Sequence, residues 1–428
     1  MRFVSANLLA LFLLCTCSCV LYVWSRLEDR LGRQKRGFHG AGALFAYSKS
    51  ADLSARTFRA LLTVPAAQKS HHYNRIDSHN SSNTKEKPAN IVKRNYHTHV
   101  TKMTSNKRDA LRFSEIIEDG IFWSQRLDDH LPVGFSEEHA RTWRQRARGN
   151  LVVSLESGCG RVSNQLATFS DGSKACVRYG INADQIQGET LSYYLANLLG
   201  ITNIPPIILS RLDVDGEQWG SVRQRVDGLQ WSAGAIVSLT EWVANLTGVV
   251  TPAPLRQESR GLHPLLPELE NKTIAGLLEL VQWTDLIIFD YLTANFDRLV
   301  SNLFSLQWDA RVMERDTSNL LRTPSGDLVF IDNEAGLVHG YRVLDMWERY
   351  HSTVLSSVCL FRKATAQHII DLHRSRDTRM RLLELYRDRE PLATELGFLS
   401  DEHARTLQNR IDRLYKHILN CKDKYSQL

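Results

Sequence analysis

The sequence predicts an α+β protein, an antiparallel sheet followed by a mainly helical half, set behind an apolar N-terminal segment and a polar stem. Three observations carry this reading. Short strand-like runs bounded by Gly, Pro and Asp turn signals cluster between residues 151 and 225, with one helix among them. From Ile274 onward apolar residues recur at helical spacing. Finally, Phe3 to Trp24 contains no charged residue, close to the ~20 residues a helix needs to cross a bilayer.

Composition narrows the class. Of 428 residues, 43% are hydrophobic and 23% charged, which suits a globular chain and excludes a wholly disordered or fibrous one. Lys plus Arg (53) nearly match Asp plus Glu (47), for a net charge of +6. A dedicated nucleic-acid binder would be more lopsided, so no nucleic-acid partner is expected. Seven cysteines are too few for a small disulfide scaffold.

Residues 1–25 read as a signal anchor or a cleaved signal peptide, giving a membrane contact through this segment. Arg26, Arg30, Arg33, Lys35 and Arg36 follow it, which on the positive-inside rule opposes a large lumenal C-terminal part. Glycosylation sequons at Asn80, Asn245 and Asn271 favour the lumen. Residues 26–112 read as a flexible basic stem without sustained period. Within it, Arg33-Gln34-Lys35-Arg36 resembles a dibasic processing site, where a cut would release the remainder. Cys15, Cys17 and Cys19 lie in the apolar segment, leaving Cys159, Cys176, Cys359 and Cys421. In an oxidising compartment that even number suggests two disulfides, against the alternative of buried free thiols.

Residues 113–428 read as one folded region. Leu151–Glu156 has strand character and is broken by Ser157-Gly158-Cys159-Gly160. Gln165–Phe169, the turn Asp171-Gly172 and Ala175–Tyr179 form a hairpin signal. Packed beside the first strand, that hairpin would bring Cys159 to Cys176, with Cys359 pairing Cys421 in the helical half. Gly188–Leu199 reads as a helix ended by Gly200. Pro205-Pro206 leads into a strand at Ile207–Leu212, and Asp213–Gly216 turns into a strand-like Trp219–Arg225. Residues 226–272, with Pro252, Pro254, Pro264 and Pro267, read as a linker. The helix from Ile274 to Leu292 ends in Asn295–Asn302, followed by a strand-like Leu303–Gln307 and a hairpin through Leu328–Ile331. Helices fill the rest, with Trp347, Leu355 and Phe361 as anchors.

Chemistry concentrates where the long helix ends. Asp297 is followed five residues later by Asn302, and Asp332 closes the strand Leu328–Ile331. Phosphoryl transfer needs a carboxylate to orient the attacking hydroxyl, and oxygen ligands for the metal that bridges the nucleotide phosphates. An Asp-x4-Asn loop with a later strand-end Asp supplies both.

Three runs make this specific: Asp119-Gly120-Ile121-Phe122-Trp123, Asn295-Phe296-Asp297-Arg298-Leu299-Val300-Ser301-Asn302, and Ile331-Asp332-Asn333-Glu334-Ala335-Gly336-Leu337. From about residue 115 to the C-terminus the chain resembles the four-jointed family of secretory-pathway kinases, related to the Golgi casein kinase and xylosylkinase group. The resemblance implies an atypical two-lobed protein-kinase-like fold, with an antiparallel-sheet N-lobe and a mainly helical C-lobe. It implies transfer of phosphate from ATP, with Mn2+ or Mg2+, to Ser or Thr in extracellular cadherin repeats of the Fat and Dachsous type, modulating planar polarity and growth signalling. It implies a type II protein of the Golgi lumen, secreted if processed.

By position, the resemblance makes Asp297 the catalytic base, Asp332 a metal ligand and Asn302 a second one. Asn333 and Glu334 share the motif. Glu189 fits the partner of the nucleotide-binding lysine, but Arg178 stands where the lysine should be. Arginine keeps the charge without being a geometric equivalent. That departure motivates a second reading, a non-catalytic secreted ligand or pseudokinase. A third is a Golgi glycosyltransferase using Asp213-Val214-Asp215 to hold manganese and a nucleotide-sugar, although Asp215-Gly216 also suits a hairpin turn.

Overall fold

The computed structural model describes residues 113–180, 182–256 and 260–426. The expected signal segment, stem and Asn80 sequon lie outside the described residues. Among the described residues no helix is long and apolar enough to cross a membrane.

Ser136 starts the first long helix, α1 (Glu137–Gly149), its hydroxyl accepting from the His139 amide at 3.2 Å. Ala140, Trp143 and Ala147 recur at helical spacing and are buried. They share an apolar cluster with inward residues of three strands: β1 (Val152–Glu156), β2 (Gln165–Phe169) and β3 (Lys174–Arg178). The β2–β3 hairpin closes at Gly172, whose φ of +81° needs glycine, with Asp171 accepting from both the amide and hydroxyl of Ser173. Helix α2 (Ala183–Leu198) starts before the expected Gly188 because Asn182 caps it, and the chain turns away at Gly200 (φ +70°).

Strands β4 (Ile207–Arg211) and β5 (Ile236–Glu241) complete an antiparallel sheet of order β1-β2-β3-β5-β4. The expected strand at Trp219–Arg225 is not one. Gly220–Val222 is a 3-10 turn and Arg223–Gly228 an α-helix. Trp219, Val222 and Val226 are buried at a helical spacing that a strand could not serve. The true partner of β4 is β5, inside the stretch expected to be a linker. That stretch also holds β6 (Thr247–Val250), which pairs with β7 (Asp316–Arg322).

Thr273 caps α3 (Ile274–Thr293), which stops at Ala294 in the left-handed region (φ +53°). Residues expected to form a strand at Leu303–Gln307 instead contribute to α4 (Leu299–Ser305). β7 and β8 (Leu328–Phe330) form the expected hairpin, in a second sheet of order β8-β7-β6. Helices α5 (Leu344–Ser356), α6 (Lys363–Ser375), α7 (Thr378–Arg389) and α8 (Asp401–Tyr425) follow. Trp347, Leu355 and Phe361 are buried as expected.

A larger apolar cluster joins α2, α3 and the C-terminal helices. Strand β4 serves both cores: Ile208 faces the α1 side, Ile207 and Leu209 the other. Two disulfides form, Cys159–Cys176 and Cys359–Cys421, the pairings expected. The leading segment closes onto the helical half. Phe361 donates to Ile121 O at 2.9 Å and its carbonyl accepts from the Trp123 amide at 3.0 Å. At Gly120 (φ +78°) a Cβ would come within 2.7 Å of the Tyr425 carbonyl, so only glycine allows that approach. Asn245 and Asn271 are exposed.

Candidate functional site

The left-handed turn at Ala294 points the chain back into the protein. There the Asn295 side chain accepts from the Asp297 amide at 3.0 Å. The Asp297 carboxylate accepts from Asn319 Nδ2 of β7, also at 3.0 Å. Burial, and after it the Asp332 carboxylate, pushes the Asp297 carboxyl up to about 6, against the pull of Arg298 and Arg161.

Arg298 is fully buried. It donates to the Asp290 carboxylate of α3 at 2.5 Å, the Asn319 carbonyl at 3.1 Å, the Ile331 carbonyl at 3.0 Å, and the Asn333 side-chain oxygen. Asn333 also donates to Phe330 O at 3.1 Å. One guanidinium thus fixes the Asp297 loop, β7 and the end of β8 together. A lysine, with a single ammonium, lacks the fork for this.

β8 delivers Asp332, held in the left-handed region (φ +56°), and the buried Glu334. Helix α2 passes directly over them: a Cβ on Gly188 would lie 2.6 Å from Glu334 O. That close approach sets the neighbouring Glu189 at the site. From β3, Arg178 reaches all three acids, with Glu334 at 2.5 Å, Asp332 at 2.6 Å and Glu189 at 3.6 Å. Burial alone would lower the Arg178 guanidinium, but Glu189, Asp332 and Glu334 raise it. Burial raises the Glu189 carboxyl, against the attraction of Arg178. Glu334 also pairs with Arg161, from the loop between β1 and β2.

Six predicted residues therefore converge: Asp297, Asp332, Asn333, Glu334, Arg178 and Glu189. Asn302 sits on α4, bonded through its amide to Arg298 O, with its side-chain nitrogen unpartnered. The Asp213-Val214-Asp215 motif stands apart in chemistry. Asp213 accepts from the Asp215 amide, and the exposed Asp215 pairs with Arg223, so both carboxylates are spent on a surface turn. That turn leads into a helix and not into the second strand of a hairpin.

A divalent cation held with nucleotide phosphates fits this donor set. Arg298 pairs with Asp290, while Asp332, Glu189 and Glu334 share Arg178, with Arg161 also on Glu334, and Asp297 forms no ion pair among the described residues. The group thus carries an excess of acid. Glu189 Oε2 and Asp332 Oδ1 are buried oxygens in ion-pair range of Arg178 but without a hydrogen bond. Hard oxygens in negative excess are what Mg2+ and Mn2+ take. Sequence reasoning missed Arg298, Asn319 and Arg161 as parts of this site. Arg298 lies inside the quoted motif, but nothing local marks it, because its partners come from distant strands.

Residues 138–424 match the family model for the four-jointed box protein middle domain. "Four-jointed box protein 1" of Xiphophorus maculatus is 64% identical over 430 residues, covering 100% of both chains. "Extracellular serine/threonine protein kinase four-jointed" of Drosophila melanogaster is 34% identical over 357 residues, covering 72% of this chain and 61% of that one. Among solved structures, the Golgi casein kinase with Mn and ADP bound aligns with a TM-score of 0.47 at 12% identity, over 67% of this chain and 77% of that one. The family-model match over residues 138–424, together with 64% identity over the whole of a named relative, establishes that the chain belongs to the four-jointed box family.

Proposed function

We propose that this chain is a secretory-pathway serine/threonine protein kinase that uses ATP with Mn2+ or Mg2+. Its acceptors are extracellular cadherin repeats of the Fat and Dachsous type, by which it modulates planar polarity and growth signalling. The observation that carries the proposal is the convergence of Asp297 with Asp332-Asn333-Glu334, through Arg298 and Arg178. Asp297 orients the acceptor hydroxyl and takes its proton. A carboxyl raised to about 6 is mostly ionised near neutral pH yet more basic than an ordinary aspartate. Asp332, with Asn302 and the neighbouring acids, would hold the cation, which when bound neutralises the nucleotide phosphates. Glu189 sets the orientation of Arg178. The exposed sequons at Asn245 and Asn271 and two disulfides support a lumenal, type II placement in the Golgi, with secretion after processing.

Full-length protein purified from expressing cells, incubated with ATP, Mn2+ and a recombinant cadherin repeat, should add phosphate to the repeat by intact mass. Asp332→Ala should abolish both nucleotide binding and transfer. Asp297→Ala should still bind nucleotide while transfer falls ~10²-fold or more. Transfer at parent rates by both variants would sink the assignment. A non-catalytic secreted ligand or pseudokinase is the second reading, favoured by Arg178 engaging the very carboxylate assigned to the metal. It would show full biological activity without phosphate incorporation.

A further inference from the structure

The loop Ser157–Asn164 is built more firmly than a surface turn requires. Gly158 (φ +140°) and Gly160 (φ +91°) need glycine for their backbone, not for space, since a Cβ on Gly158 meets nothing within 4 Å. The Cys159–Cys176 disulfide staples the loop to β3, two residues from Arg178. Beyond it, the Asn164 amide donates to Arg161 O at 2.9 Å, Asn164 Nδ2 to Cys159 O at 3.4 Å, and Gln165 Nε2 to Val162 O at 3.3 Å. The backbone is therefore tied down on both sides of Arg161, while the Arg161 side chain remains 51% exposed.

That side chain spans to Glu334. Glu334 does not depend on it, because Arg178 already pairs with the same carboxylate at 2.5 Å. Arg178, in turn, is enclosed by Glu189, Asp332 and Glu334 and paired with all three. Arg161 also acts electrostatically on Asp297. A half-exposed guanidinium on a glycine loop, paired at one end with a site carboxylate, presents the fork geometry that phosphate takes bidentately.

We infer that Arg161 is a phosphate-binding residue for the nucleotide, exchanging its contact with Glu334 for the nucleotide's phosphate oxygens. The inference rests on the kinase reading and deepens it. The phosphate-clamping charge expected of the lysine position is supplied from the loop, while the arginine at that position serves the carboxylates.

The test uses the full-length chain purified from expressing cells, with Mn2+ and ATP as probe, read by calorimetric affinity and by melting temperature without ligand. Arg161→Ala should weaken ATP binding ~10-fold or more, the scale of losing charge-assisted hydrogen bonds. It should leave the ligand-free melting temperature near the parent's, because the pair it breaks is exposed at one end. Arg161→Lys should recover part of the affinity. Unchanged ATP affinity in Arg161→Ala overturns the inference alone, leaving the kinase reading standing. A fall in both affinity and melting temperature that lysine does not rescue assigns Arg161 a structural role and also overturns it. A parent chain that does not bind ATP overturns the kinase reading and this inference with it.

Discussion

The guanidinium of Arg298 donates to the side-chain oxygen of Asn333, 35 positions along the chain. The residue after Asp297 is thereby tied to the residue after Asp332. Because the same group holds Asp290 and the carbonyls of Asn319 and Ile331, the two candidate functional carboxylates keep their spacing through one buried cation.

Removing that cation should be costly. Arg298→Ala leaves Asp290 buried without its partner, and breaking a buried pair from one side costs about 3–5 kcal/mol. Burial already holds the Asp290 carboxyl up near 7, against the pull of Arg298. Urea unfolding should show the loss, and adding Asp290→Asn should recover part of it. A midpoint equal to the parent's would show that Arg298 does not hold the site together.

The Asp297 carboxyl sets a pH dependence with a definite sign. It binds its proton more tightly in the fold, about 6 against an ordinary 3.8. Its contribution therefore favours the fold at low pH and is lost as pH climbs through about 6. Asp297→Asn removes that slope, so its stability relative to the parent should grow from pH 4 to 6 and then level off. Phosphate transfer, which needs the ionised form, should instead rise through the same window. An acid limb near pH 4 would contradict the burial seen here.

Glycosylation tests the topology. Asn245 and Asn271 are both exposed, so Asn→Gln at each should remove one glycan step from protein expressed in cells. Identical mobility of parent and both variants, with or without glycosidase, would place these residues outside the lumen.

The parts of this fold with local signals were legible. Alternation with Asp171-Gly172 marks the β2–β3 hairpin, and the uninterrupted apolar period marks α3. Trp219–Arg225 misled because a turn after a strand suggests a hairpin, whereas Trp219, Val222 and Val226 had the spacing of a helix face. Strand β5 lies in a proline-bearing stretch, and the strand-like composition of Leu303–Gln307 overlaps only the last turn of the short α4. At the site, the Asp297-x4-Asn302 spacing and the later Asp332 mark candidate carboxylates, and the family resemblance supplies their expected roles. The arginines could not: Arg161 and Arg298 gain meaning only from Glu334, Asn319 and Asn333, which folding brings to them.

The contact between Gly120 and the Tyr425 carbonyl, beside the Ile121–Phe361–Trp123 bonding, sets where mechanical load would travel. Both ends of the described chain are anchored to the same helical half, and Cys359–Cys421 fastens the last helix beside Phe361 covalently. Tension applied between those ends would run along this short seam and bypass the cleft where Asp297 faces Asp332. The domain could then be pulled by a tether, or fused at either end, without shearing the two carboxylates apart.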